Sequence, residues 1–224
     1  MEALLALHDI SKTFVEGSTE VRAVDSVSLT LQKGEVLLLM GPSGSGKTTL
    51  LSMMGCILRA TGGEIVVDGR TVNSLSEESL PDIRKKYFGF VFQSFNLFPS
   101  LTAVENIELV MRMKGHGGKG LRPDALSLLD KVGMADRADF YPGDLSGGQK
   151  QRIAFARALV GDPPIILADE PTASLDSKRG REVLELLRRH AREHGKTVAI
   201  VSHDPKAEEV ADRVIHLEDG RIRE

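Results

Sequence analysis

The run Val36-Leu37-Leu38-Leu39-Met40, followed at once by Gly41-Pro42-Ser43-Gly44-Ser45-Gly46-Lys47-Thr48, limits what this chain can fold into more than any other feature. A short apolar run between the turn Lys33-Gly34 and a glycine-rich loop predicts a strand buried on both faces. Strands of that kind belong to parallel sheets covered by helices. The loop matches G-x-x-x-x-G-K-[ST] at every fixed position. Its glycines let backbone N–H groups turn toward an anion without a Cβ in the way. The helix expected over Lys47 to Leu58 presents its positive end to the same point. Lys47 supplies a cation for the β- and γ-phosphates, the Thr48 hydroxyl is placed to ligate Mg²⁺, and Thr49 extends the cradle into the helix.

The rest of the chain is read around that unit. Ser26 to Gln32 alternates as a strand, and Asp68-Gly69 between Ile65-Val66-Val67 and Thr71-Val72 is a hairpin signal. From about Phe95 to Val160 the pattern turns helical, with helices expected over Ala103 to Met113, Arg122 to Val132 (Pro123 at its start) and Lys150 to Val160. Gly115 to Gly120 is a glycine-rich connection between the first two. Strand and helix then alternate: Ile165 to Ala168, Lys178 to His194 closed by Gly195, and Thr197 to Ser202, with a last hairpin at Asp219-Gly220. This order predicts one α/β domain over 1–224, a mostly parallel sheet with helices on both faces, and a helical insertion at about 95–160.

Composition removes several classes. With 29 basic and 32 acidic residues the net charge is −3, so no global field recruits nucleic acid. Cys56 has no partner cysteine, which fits a reducing compartment, and its apolar surroundings make it a packing residue. The stretch from Met1 to Leu7 lacks the charged lead and apolar core of a signal peptide, and no apolar run is long enough to cross a bilayer. A cytoplasmic location is expected, with any membrane role borrowed from a partner.

Two further motifs lie downstream. Ile165-Ile166-Leu167-Ala168-Asp169 is a buried strand ending in a carboxylate, with Glu170 next. Ligands of parallel sheets bind at the carboxyl ends of strands, so Asp169 is a candidate Mg²⁺ ligand there; read alone, a helix cap is the alternative. Leu145-Ser146-Gly147-Gly148-Gln149 opens a helix with a hydroxyl and bare amides, a second anion-binding helix end or, read alone, a cap.

Phosphate loop, Leu-Ser-Gly-Gly-Gln and strand-Asp-Glu, in that order, resemble the ATP-binding cassette (ABC) family over nearly the whole chain. The resemblance implies a phosphate-loop NTPase core of the RecA-like type with an N-terminal antiparallel β subdomain, and ATP hydrolysis. It implies that Glu170 activates the attacking water and that Gln93, in Val91-Phe92-Gln93, touches Mg²⁺ and that water. It further implies that His203 bonds the γ-phosphate, that Ser174-Leu175-Asp176 contacts a second subunit, and that Ser146, Gly147, Gly148 and Gln149 close over that subunit's ATP. The active unit would then be a homodimer around two ATP. Phe14 stands where the family stacks a tyrosine on adenine, a core phenylalanine being the alternative; Phe keeps the π face. Ser94-Phe95-Asn96-Leu97-Phe98-Pro99 either lines a groove for a membrane subunit's helix or is buried within the insertion.

Within the family, Phe88-Gly89-Phe90-Val91-Phe92-Gln93, Leu101-Thr102-Ala103-Val104-Glu105-Asn106 and the stop at Glu224 resemble the short cassettes of the lipoprotein-releasing and macrolide-export type. Those work on the inner membrane face with permease subunits, in some cases with a periplasmic adaptor. A cell-division type cassette, which signals through a membrane partner without transport, is the alternative. A soluble DNA-repair or translation cassette is a third, against which stands the absence of a coiled-coil insertion or tandem repeat.

Overall fold

Two sheets share one interior in the computed structural model, which describes residues 3–17 and 19–223. The first is antiparallel: Ala3–Glu16 (β1), Thr19–Gln32 (β2), Gly62–Val67 (β4) and Arg70–Thr71 (β5), in the order β2-β1-β4-β5. The second contains Val36–Met40 (β3), Phe88–Val91 (β6), Ile165–Asp169 (β7), Thr197–Val201 (β8), Arg213–Glu218 (β9) and Arg221–Arg223 (β10), ordered β10-β9-β3-β8-β7-β6. Its first five strands by chain order are mutually parallel, and only β10 runs antiparallel, against β9.

The period of two in each buried strand divides the core. Leu37 and Leu39 of β3, Leu167 of β7, and Ala199 and Val201 of β8 face one cluster. There they meet Leu50, Leu51, Met53 and Met54 of Lys47–Met54 (α1) and the apolar side of the antiparallel sheet. Val36 and Leu38, Ile166 and Ala168, and Val198 and Ile200 point the other way. They pack on Ala103–Met113 (α3), Leu121–Lys131 (α4), Gly147–Ala158 (α5) and Ser177–His194 (α6). Each fully buried leucine in these layers contributes about 1.5–3 kcal/mol of burial.

Several boundaries differ from the sequence reading. The helix after the phosphate loop ends at Met54, not Leu58, because Gly55 caps it and Cys56 turns to φ 55. Cys56 is nevertheless buried, and burial pushes its thiol up to about 11, so it is inert packing. Leu80–Tyr87 (α2) was not expected: its apolar stripe is only Leu80, Ile83 and Tyr87, set among charged residues and too short to stand out in the sequence. Within the stretch expected to be helical from Phe95, the helices begin only at Ala103. Phe95 and Asn96 take φ of 61 and 49, and the buried Asn106 amide ties down the turn through Phe98 N and the carbonyls of Phe98, Leu101 and Thr102. The helix expected from Lys150 starts at Gly147. The hairpin at Asp68-Gly69 is present, both residues having positive φ, and Gly195 closes α6 in the left-handed region. Met1 and Glu224, on which the expectations about the chain ends partly rest, lie outside the described residues. Among the described residues no helix is long and apolar enough to cross a membrane.

Candidate functional site

Four parallel strands deliver the site. The phosphate loop leaves β3, Gln93 follows β6, Asp169 and Glu170 end β7, and Ser202-His203 follow β8. In register Leu39 lies beside Val201, Val201 beside Asp169, and Ala168 beside Val91, so these ends open at one level. They surround a cleft of about 560 Å³ lined by Ala23, Pro42, Ser43, Gly44, Ser45, Gly46, Lys47, Thr48, Thr49, Gln93, Glu170 and His203.

Glycine is obligatory at two points of the loop. A Cβ on Gly41 would sit 2.0 Å from the Leu217 carbonyl oxygen, and one on Gly46 would sit 2.1 Å from that of Ala23. The loop is therefore clamped between β2 and the β9 end, and Gly220 N donates to Ser45 O at 3.1 Å. Lys47 is 6% exposed and donates to the carbonyls of Gly41 and Pro42, both at 2.8 Å. Its ammonium is thus held inside the loop that would embrace phosphates.

The carboxylates lie opposite. Thr48 Oγ1 donates to Asp169 Oδ1 at 2.9 Å. Burial raises the Asp169 pKa above the ordinary carboxylate value, the Thr48 hydrogen bond and Lys47 opposing and the neighbouring Glu170 charge adding to the rise. Glu170 has φ 45 and is fixed by its own N–H donating to Val201 O at 2.9 Å. Its Oε1 is 2.9 Å from His203 Nδ1, and the Ser202 hydroxyl reaches Oε2 at 3.4 Å. A half-buried acid beside a threonine hydroxyl and a second acid beside a histidine have the chemistry to hold a cation and to accept a proton.

Gly41 and Asp169 brace the cleft from behind its walls, while Phe14 and the Ser146–Gln149 helix start are not on those walls. Ser146 caps α5 through a reciprocal pair: its N–H donates to Gln149 Oε1 at 2.8 Å, and Gln149 N–H to Ser146 Oγ at 3.4 Å. A Cβ on Gly147 would meet Leu175 at 3.1 Å, which packs the signature against the loop before α6; Asp176 caps α6 by accepting from Lys178 and Arg179 N–H. Phe14 is 42% exposed on β1, with Lys12 Nζ 5.1 Å from its ring centre, so it is no core residue.

Three contributors were missed in the sequence. Ala23 supplies a wall from β2, Ser202 touches Glu170, and buried Arg157 of α5 donates to the carbonyls of Phe95 and Asn96. Only Arg157 had a signal, a cation in the otherwise apolar run Ile153 to Val160. A larger hollow of about 920 Å³ between α4, α5 and α6 is a charged surface with paired groups such as Arg152–Glu182, without a phosphate cradle.

A glycine loop between a central parallel strand and a helix, with two acids at the end of the strand two places away, defines a phosphate-loop nucleotide-binding protein. The family model described as ABC transporter matches residues 24–173. An ABC transporter ATP-binding protein of Methanocaldococcus jannaschii, MJ0796, is 44% identical over 223 residues, covering 98% of this chain and 95% of that one. YvrO of Bacillus subtilis, an ABC transporter ATP-binding protein, is 45% identical over 219 residues, with 98% and 95% covered. The macrolide export ATP-binding/permease protein MacB of Brucella abortus is 44% identical over 219 residues, but these are 98% of this chain and only 34% of MacB. The dimeric structure of MJ0796 in a post-hydrolysis state with ADP and Pi superimposes with a TM-score of 0.91 at 42% identity, covering 98% and 97%. The chain belongs to the ABC transporter family and is an ATP-binding, ATP-hydrolysing cassette.

Proposed function

We propose that this chain is the motor of a membrane export complex, in which two copies close on two ATP molecules and reopen after hydrolysis. One observation carries the reading. The phosphate loop, Gln93, Glu170 and His203 share a cleft whose walls exclude the signature helix start of the same chain. A helix start with bare amides is an anion site, and a second copy supplies the anion. The ADP- and Pi-bound dimer of the MJ0796 cassette supports this arrangement.

In this reading the loop amides and Lys47 hold the β- and γ-phosphates, and the open face of Phe14 stacks on adenine. Thr48, Asp169 and Gln93 present the hard oxygen donors that suit Mg²⁺, and these residues would hold it. When bound, the ion offsets the charge on the transferred phosphate. Glu170 accepts the proton of the attacking water, and His203 turns from Glu170 toward the γ-phosphate, which frees the carboxylate for that role.

The membrane partner has a candidate seat. A groove of about 430 Å³ is walled by Ile57, Phe88, Phe90, Phe92, Val110 and Met113, with Arg84 and Lys85 on its rim. Its aromatic wall comes from β6 and from Phe92 just after it. Of the stretch Ser94 to Pro99 only Asn96 lines it; Phe95 lies toward Gly147 and Phe98 is exposed. A short apolar helix of a permease, with an acidic end, fits this groove and would anchor the cassette on the cytoplasmic face. A periplasmic adaptor would act through that permease. The MacB relatives, named for macrolide export and fused to a permease, favour export over signalling without transport.

Lys47→Ala should lose both ATP binding and hydrolysis; near-normal turnover would refute the site. Co-purification of a permease from solubilised membranes should be lost in Met113→Glu, a 62% exposed position. Undiminished capture would refute the seat.

A further inference from the structure

Gln151 is fully buried in α5, two residues beyond the signature, and neither its Nε2 nor its Oε1 has a hydrogen-bond partner among the described residues. Buried amides are almost always paired, and a methionine of similar volume would fill the space without stranding polar atoms. Helix spacing tells what surrounds it. Residues three and four apart share a face, so Gln151 stacks beneath Gly148 and Gly147. On that face a Cβ of Gly147 would lie 3.3 Å from the Ser174 carbonyl oxygen, and one of Gly148 would lie 3.0 Å from Arg179 Cδ. This face of α5 therefore packs on the junction where loop 170–176 enters α6.

That loop begins at Glu170 and buries Thr172. It is folded into turns by Ala173 N–H to Glu170 O at 3.2 Å and Leu175 N–H to Thr172 O at 3.0 Å. The Gln151 amide has two N–H donors and an acceptor to offer to the backbone of Thr172 to Ser174. We propose that Gln151 is a positioning residue, unpaired in this conformation, which takes backbone partners from Thr172 to Ser174 when two chains close on ATP. It thereby holds the loop, and with it Glu170, in the hydrolytic arrangement. The proposal rests on the closed-dimer reading given above. A polar group stranded in one conformation and satisfied in the other biases a two-state element toward closure.

The test is Gln151→Met, alone and combined with Glu170→Gln, with Gln151→Leu as a second variant. The thermal unfolding midpoint should stay or rise, and both ATP affinity of the single chain and KM should hold. kcat should fall about tenfold, and the ATP-held dimer of the Glu170→Gln background should dissociate about tenfold faster. An amide serving only the fold would lower the unfolding midpoint and leave kcat intact, which overturns the proposal. So does a kcat loss that merely tracks a lowered midpoint across the methionine and leucine variants. A Glu170→Gln parent that dimerises with ATP, unaffected by Gln151→Met, overturns this proposal alone. A parent that never dimerises overturns the closed-dimer reading and this proposal with it.

Discussion

Glu170→Gln separates chemistry from binding more cleanly than any other change in the cleft. The carboxylate is 13% exposed and touches two groups, His203 Nδ1 at 2.9 Å and the Ser202 hydroxyl at 3.4 Å. A glutamine amide keeps the volume, leaves an oxygen toward His203, and offers its NH₂ to the Ser202 oxygen. Its backbone is already held at φ 45 by the bond to Val201 O, which the substitution does not touch. The structural cost is therefore within about 1 kcal/mol. What disappears is a proton acceptor, worth roughly 10²–10⁴ in rate, or about 3–5 kcal/mol of barrier. Phosphate release should fall by that factor while ATP affinity of the single chain stays within about twofold. Because closure needs intact ATP, the variant should collect as a dimer on size exclusion with ATP and Mg²⁺. Hydrolysis at the wild-type rate would refute the role of Glu170. A loss of ATP binding would instead place the residue among the phosphate contacts.

Two further expectations come from the same geometry. Gly46→Ala forces a Cβ to 2.1 Å from Ala23 O at φ 96, strain of roughly 1–3 kcal/mol that should weaken ATP binding about 5- to 150-fold. Gly143→Ala, with nothing within 4 Å, should leave affinity unchanged, and equal titration curves for the two would refute the clamp. His190, edge-on to Phe155 at 4.9 Å, is pulled from 6.5 to about 4 by burial and then by the charges of His194, Lys131, Arg189 and Lys196. Its folded pKa lies below the unfolded one, so its stabilisation is complete above pH 6.5 and is lost as pH falls toward 4, by up to about 3 kcal/mol. Urea unfolding across that window should show a shallower pH slope in His190→Leu; identical slopes would remove the assignment.

The site was legible where one strand carries its own signal. Val36–Met40 and Ile165–Asp169 are buried on both faces, so each reads as an unbroken apolar run with its chemistry at the carboxyl end. The glycine spacing from Gly41 to Lys47 names its own conformation, because Gly41 and Gly46 meet backbone oxygens. What depends on tertiary neighbours was not legible. Gly55 marks the end of α1 at Met54, but Cys56 and Leu58 continue the apolar run past it and hide the stop. The stripe of α2 is only Leu80, Ile83 and Tyr87, too short to read. Ala23 and Ser202 are small residues that matter only because β2 and β8 bring them to the cleft. The stranded amide of Gln151 looks in sequence like any polar residue on a helix.

The central claim is that Ser146 and the two glycines after it serve the ATP of the other copy. It is tested most directly by mixing Ser146→Arg with Lys47→Ala. An arginine at the α5 start sets a bulky cation against the positive helix end and fills the space of the γ-phosphate, while the phosphate loop of the same chain is untouched. Each variant alone should be inactive, and Ser146→Arg should still bind ATP as a single chain. In a mixed dimer both defects fall in one composite site and the other is intact. Hydrolysis should therefore reappear on mixing, at up to about a quarter of the wild-type rate for random pairing. A mixture that stays inactive, or a Ser146→Arg chain that no longer binds ATP, would mean the signature contacts its own nucleotide and would contradict the account.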